Sequence, residues 1–305
     1  MGNALVLVFV CSLALLSGET YFRFFKDTTD SFGLTKSTAR WFERHFQNNS
    51  SGFRDSTVYT TIIPTGKKHR VTFIGDSFTA GHGIPNVEDR FANVIRRENP
   101  SWDVHVIAQC GWDTGHQLAN VMDMSSDYQT DLVVLVYCLN DIADIVPEWQ
   151  RILERVYSSP QPGFFFEHSY FLNTLFYRWK AAGIPDVSNY YQFVRDNYQG
   201  PVWDLQKQRL TYLRDMVHSR GGQFLVVTFP FLHALGPDYE YRTIHQRLDE
   251  FWNELDVPHL DLLSVYKSNH PHEVTVNAHD AHPNERAHKM AAQAIAVFLE
   301  KNLKN

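Results

Sequence analysis

The run Asp131 to Tyr137 reads DLVVLVY, seven residues with almost no polar break. It is far too short to cross a bilayer, and it lacks the in-out alternation of a half-buried strand. Such a run suits a β-strand covered on both faces, as strands of a parallel sheet are. Further strand-like runs occur at Arg70 to Ile74, Asp103 to Ala108, Gln223 to Thr228 and Pro258 to Leu263. Between the last three candidates lie the helical stretches Trp203 to Ser219 and Tyr241 to Leu255. This alternation predicts an α/β fold, a doubly wound parallel sheet between two helical layers, with ligands at the carboxyl ends of the strands near the switch in strand order.

The chain of 305 residues is 44% hydrophobic and 20% charged, enough apolar matter for a true core. Its net charge of −6 leaves no basic footprint for a phosphate backbone, so nucleic acid is excluded as an expected partner. Three cysteines cannot staple a scaffold, and none forms a CxxC pair. Cys11 falls in the leader. Cys110 and Cys138 follow strands two and three, which a doubly wound order beginning 2-1-3 would place on either side of strand one. Two strand spacings, about 9.6 Å, exceed the ~7 Å Cα separation a disulfide tolerates. Free, buried thiols are expected, and a catalytic cysteine is a minor alternative because neither has a histidine nearby in sequence.

Residues 1–25 form a hydrophobic leader, with Ala4 to Gly18 uninterruptedly apolar or small. No Lys or Arg precedes this run, and Leu16-Ser17-Gly18 matches a cleavage site poorly, so an uncleaved signal anchor is the first reading. A cleaved signal peptide is the second and a buried N-terminal helix the third. The first two place the body outside the cytoplasm, periplasmic or secreted, with the membrane as a partner. Residues 26–68 read as a connector and 69–305 as the catalytic domain. Within the latter, 147–203 is an insertion carrying 15 of the 43 aromatics. These rings either form the core of a cap, line the substrate cleft or rest on a membrane interface.

Four segments carry chemistry. Val71 to Ile74 runs into Gly75-Asp76-Ser77, where a serine can be presented at the sheet's rim with its N–H facing a cleft; the plainer alternative is that Ser77 caps the next helix. Asp280-Ala281-His282 places a carboxylate and an imidazole two apart, on one side of an extended segment, so one ring nitrogen can be held while the other takes a proton. Alone, this pair is more simply a capping Asp beside a surface His. Pro283 is expected as the first residue of a helix running from Glu285 to Leu299. Gly111 can bring a backbone N–H close to a substrate, and Asn140 offers an amide donor. Ser77 N–H, Gly111 N–H and Asn140 would together supply three donors for an oxyanion.

With these four segments in this order over Val71 to His288, the chain resembles the SGNH, or GDSL-type, serine hydrolase superfamily. Within it, the leader, the GFRD segment (Gly52 to Asp55) and the aromatic insertion look like an extracytoplasmic bacterial branch. The resemblance implies a flavodoxin-like three-layer α/β/α sandwich with strand order 2-1-3-4-5. It implies Ser77 as nucleophile, Asp280 and His282 completing a catalytic triad, and Ser77, Gly111 and Asn140 as the oxyanion hole, with no cofactor and no metal. Phe78 stands where the family commonly has Leu, and Cys138 where it has Gly. Only Ala281 separates Asp280 from His282, where two residues are usual, leaving Asp261 as a fallback for the acid.

The implied activity is an esterase cleaving or transferring a short acyl group, acetyl first, on a cell-envelope or extracellular glycan. A lipase or thioesterase acting on lipid acyl esters is the alternative. Five of the fifteen histidines fall between His270 and His288, so a metal-dependent hydrolase using His270, His272, His279, Asp280 and His282 is a rival, though no HExxH helix is present. An inactive envelope scaffold is the non-enzymatic rival.

Overall fold

The computed structural model describes residues 2–158, 163–183 and 189–303. Parts of the aromatic insertion, 159–162 and 184–188, lie outside the described residues. Five parallel strands form the central sheet: β1 (His69–Gly75), β2 (Trp102–Ala108), β3 (Leu132–Cys138), β4 (Gln223–Phe229) and β5 (His259–Asp261). Their order is β2-β1-β3-β4-β5, the doubly wound order anticipated above. Every residue of β2 and β3 is buried, as a strand covered on both faces must be. β5 is shorter than the apolar run around it suggests, three residues paired with Val226 to Thr228.

Helix α1 (Gly2–Thr20) precedes the body, and α2 (Lys36–His45) lies within the connector. α3 (Ser77–Ala80) follows β1 directly, and α4 (Phe91–Glu98) and α5 (Thr114–Asp123) follow in the first half of the sheet. The insertion supplies α6 (Pro147–Ser158), α7 (Phe164–His168), α8 (Tyr170–Gly183) and α9 (Tyr190–Asp196). α10 (Gly200–Ser219), α11 (Arg242–Glu254), the short α12 (Leu263–Tyr266) and α13 (Pro271–Val274), and α14 (Glu285–Leu303) complete the body. α4 packs with α14 over one face, while α5 packs with α10 over the other.

Strand register sets the level of the site. Gly75 pairs with Ala108 on one side and Val136 on the other, so β1 and β2 end level, β3 runs two residues further, and all three release their loops at one rim. Gly75 is required there: a Cβ would lie 2.9 Å from the Val136 carbonyl oxygen and closer still to Thr79. A separate antiparallel pair, β6 (Thr275–Asn277) and β7 (Asp280–Pro283), leads into α14. Pro283 therefore closes β7 and does not open the helix. Asn284 caps α14 instead, its Oδ1 accepting from Ala287 N at 3.0 Å.

The connector is folded against the body. Trp41 is fully buried, and Arg54, also buried, reaches the carbonyl oxygens of Ala80, Gly81 and Ile84 just beyond β1. Asp55 accepts from Arg90, Arg96 and Asn93. The GFRD segment thus braces the turn after α3 from behind. α1 is exposed from Asn3 to Ser17, which overturns the reading of a buried N-terminal helix; it is long and apolar enough to cross a membrane.

Candidate active site

Ser77 is the first residue of α3, at the carboxyl end of β1. The capping role falls to Asp76, whose Oδ1 accepts from Phe78 N at 2.9 Å, leaving the serine hydroxyl free of that duty. Gly81 ends the short helix in the left-handed region, φ 79°. β7 is extended and sets the Asp280 and His282 side chains on one side, as residues two apart on a strand must lie. His282 Nε2 lies 2.8 Å from Ser77 Oγ, and His282 Nδ1 lies 2.6 Å from Asp280 Oδ1. The single-residue spacing is no obstacle to this contact. Asp261 is engaged elsewhere, with Oδ1 2.9 Å from His245 Nδ1.

Gly111 adopts φ 82°, a conformation favouring glycine, with open space where a Cβ would be. Cys138, in the position where the family has glycine, has an ordinary extended backbone (φ −101°, ψ 149°), so its Cβ costs nothing there. Asn140 lies near Asp76 and favours the charged form of that carboxyl. Ser77, Gly111, Asn140 and His282 all line one cavity of about 480 Å³. Its walls come from the insertion (Trp149, Tyr190, Tyr191), from Trp112 and Phe231, and from the connector (Phe32, Phe42). The aromatics of the insertion are thus divided among cleft lining, the core, where Tyr198 and Trp203 are buried, and the exterior, where Phe164, Phe165 and Trp179 are exposed.

Charge is arranged around Asp280. Burial raises its pKa, but the charges and hydrogen bonds of His282 and His82 outweigh burial and hold the carboxyl well below the usual range. Thr29 Oγ1 donates to Asp280 Oδ2. His82 Nε2 lies 3.2 Å from the same oxygen, an ion-pair distance without good hydrogen-bond alignment. Burial opposes a charge on His82, yet the Asp280 carboxylate and the Cys110 thiol raise it to about 10. His282 is lowered, first by burial and then by the His82 charge, so its ring is a free base at neutral pH. Beneath Ser77, burial lifts Asp76 to about 7 and pushes the neighbouring Asp141 up as well, the two carboxyls disfavouring each other's charge.

The histidine-rich segment does not gather into a metal site. His270 and His272 stack on each other, and His279 is exposed. His288 is buried in the core, its Nδ1 accepting from Phe91 N at 3.2 Å. Among the described residues, the trio within metal-ligand reach is His82, Asp280 and His282. Its two imidazole rings are nearly parallel, so their in-plane lone pairs run side by side and do not converge. Cys110 and Cys138 are both free; Cys138 is buried as expected, but Cys110 is only half-buried because it lines the cavity. Sequence reasoning missed His82, Thr29 and Phe42. His82 follows the GDS block by five residues and carries no spacing signal, while Thr29 and Phe42 belong to the connector.

The sequence model of the GDSL-like Lipase/Acylhydrolase family matches residues 73–290. Comparison with curated proteins returns no match. Solved structures similar in fold include a member of the lipolytic G-D-S-L family from Veillonella parvula (13% identity, covering 74% of this chain and 94% of that one, TM-score 0.44). A psychrotrophic esterase from a Pseudoalteromonas species is 13% identical over 78% of this chain and 100% of its own, TM-score 0.46. A two-domain esterase active on acetylated mannans is 16% identical over 78% of this chain and 50% of its own, TM-score 0.41. The family match spans well over half of the sequence, including the GDS block, Gly111, Asn140 and the Asp280–His282 pair. The chain belongs to the GDSL-like lipase/acylhydrolase family and is an ester hydrolase.

Proposed function

We propose that this ester hydrolase removes a short acyl group, acetyl in the first place, from a glycan at the cell envelope, with Ser77 as its nucleophile. The observation that carries the mechanism is the continuous chain Ser77 Oγ–His282–Asp280, at 2.8 and 2.6 Å, opening into the aromatic cavity. His282 Nε2 takes the hydroxyl proton as Ser77 Oγ bonds to the ester carbonyl carbon. The resulting oxyanion faces the N–H groups of Ser77 and Gly111 and the amide of Asn140. Asp280 stabilises the imidazolium that forms and fixes its tautomer. Collapse breaks the bond to the alkoxy oxygen, and His282 returns its proton to the departing alcohol. Water, deprotonated by His282, then attacks the acyl–serine carbonyl and releases the carboxylic acid and free Ser77.

The substrate reading rests on the cavity. About 480 Å³ bounded by flat rings accommodates an acylated sugar, whose apolar ring faces stack on aromatics. The apolar α1 favours placement at the envelope. The test compares p-nitrophenyl esters from acetate to palmitate with release of acetate from acetylated polysaccharides. Preference for acetate together with acetate release from polymer supports the reading. A maximum at long acyl chains with no release from polymer replaces it with a lipid acyl-ester substrate.

A further inference from the structure

The end of α1 is built into the insertion. Glu19 occupies the start of α8, its carboxylate accepting from Ser169 Oγ at 2.6 Å, Phe171 N at 3.1 Å and Tyr170 N at 3.2 Å. The last two are backbone N–H groups that a helix start leaves unpaired. One residue earlier, the Phe171 ring lies 2.8 Å from where a Cβ on Gly18 would stand, so the ring packs directly on the α1 backbone. Arg23 donates to His168 O at 2.8 Å. Its guanidinium lies over the Tyr170 ring at 4.9 Å, and that of Arg40 from α2 at 4.6 Å. Arg40 also binds the carbonyl oxygens of Phe22 and Lys26. The apolar rod and the body are therefore held by a packed joint in which α1, the turn Tyr21–Phe25, α2 and α8 all take part.

That joint fixes α7 beside the place where the rod ends. Phe164 and Phe165 there are 67% and 74% exposed, and Tyr21, Phe24 and Phe25 at the rod's end are exposed too. Large apolar side chains left open to water on both sides of the Arg23–His168 contact mark an interaction surface, a patch spanning that joint. Arg23 and Lys26 sit among them, the mixture of rings and cations found where a protein lies in a headgroup layer. An apolar helix long enough to span a bilayer ends inside this patch, which singles out lipid as the occupant.

We propose that α7 is a second membrane contact: Phe164 and Phe165 enter the same bilayer border as Tyr21, Phe24 and Phe25, and the joint at Glu19 holds the body at a fixed tilt on the surface. This rests on α1 being a retained anchor. It deepens the envelope reading, because Ser31 on the cavity wall is six residues from Phe25 and so within about 22 Å of the membrane border. Substrate would be met at the membrane surface rather than far from it.

The test uses the full-length chain in nanodiscs of neutral and anionic phospholipid. Single cysteines are placed in a Cys11→Ser, Cys110→Ala background, at Phe164, at Leu13 within the rod, and at Val297 on exposed α14, with Phe165→Cys as a parallel variant. Each is labelled with bimane, and turnover of p-nitrophenyl acetate equal to that of the background protein reports folding. Doxyl groups near the top and, in a second preparation, near the end of the lipid acyl chain serve as quenchers at the border and at the bilayer centre. Labels at Leu13, read with the central quencher, and at Phe164, read with the border quencher, should be quenched at least about twofold more than the label at Val297, since an interfacial contact reaches the border. Quenching at Leu13 while both Phe164 and Phe165 behave like Val297 overturns the second contact and leaves the anchor standing. Loss of quenching at Leu13 overturns the anchor and this inference with it, whatever the esterase activity.

Discussion

The imidazole of His82 lies flat on that of His282, ring centroids 4.0 Å apart and 15° from parallel. Both rings address one carboxylate, Asp280, through different oxygens. Catalysis by His282 as a base needs its neutral form, so kcat/KM falls as pH drops through its pKa in the free enzyme. The His82 charge lowers that pKa, which keeps the base free at more acidic pH. Replacing His82 with Gln removes the charge. The acid limb of the kcat/KM profile should then move to higher pH, while the alkaline plateau keeps much of its height. An acid limb that does not move would show that His82 is uncharged beside His282.

The proposed oxyanion donors differ in how they can be removed. Asn140→Ala deletes one and should lower kcat about 10²–10³-fold with little change in KM, the size seen when a single such donor is lost. Steady-state kinetics on p-nitrophenyl acetate decide it, and a wild-type kcat would remove Asn140 from the hole. Asn140 also lies beside the buried Asp76, so thermal unfolding of the variant should accompany the kinetics.

Trp149 and Tyr190 pack on each other at the cavity wall, centroids 4.7 Å apart. Losing a ring contact of this kind costs roughly 0.5–1.5 kcal/mol. Trp149→Ala should accordingly raise KM for an acetylated oligosaccharide about 2–10-fold, while p-nitrophenyl acetate, which is too small to need that wall, is turned over nearly as before. Equal losses on both substrates would mean that Trp149 only supports the fold.

Asp55 couples the connector to α4 through Arg90 and Arg96, and it is almost completely buried. Burial alone would raise its pKa, but the arginines outweigh it and depress the carboxyl strongly below its ordinary 3.8. A carboxyl depressed on folding adds stability above its unfolded pKa, and that contribution is lost as pH falls toward the folded value. Asp55→Asn leaves buried guanidinium groups uncompensated, which typically costs about 3–5 kcal/mol. Urea unfolding at pH 7 and pH 3 should show a large loss at the first and a smaller one at the second. An equal loss at both would assign the effect to packing.

The parts of this molecule that could be read in its sequence are those set by local periodicity. β3 is legible because seven apolar residues in a row leave few alternatives, and the order of the loops at the rim follows from the doubly wound connection. Ser77, Gly111 and Asn140 share a cavity because each lies just past a strand end, and His282 joins them from within β7. Contacts that depend on where a separate segment docks were not legible. Nothing in the polar stretch 26–68 announces that Thr29 donates to Asp280 or that Arg54 grips the turn after α3. Pro283 was misread because a proline before a helical run is as compatible with the last residue of a strand as with the first turn of a helix. The histidine cluster misled in the same way: closeness in sequence from His270 to His288 becomes a surface stack, a site residue and a core residue once β6 and β7 turn the chain.

The most direct test of the account is where an organophosphonate lands. After reaction of the full-length protein with a fluorophosphonate, intact mass should rise by one adduct, peptide mapping should place it on Ser77, and His282→Ala should slow the labelling by orders of magnitude. Unlabelled Ser77 in a protein that still hydrolyses p-nitrophenyl acetate, or an adduct on another residue, would contradict it.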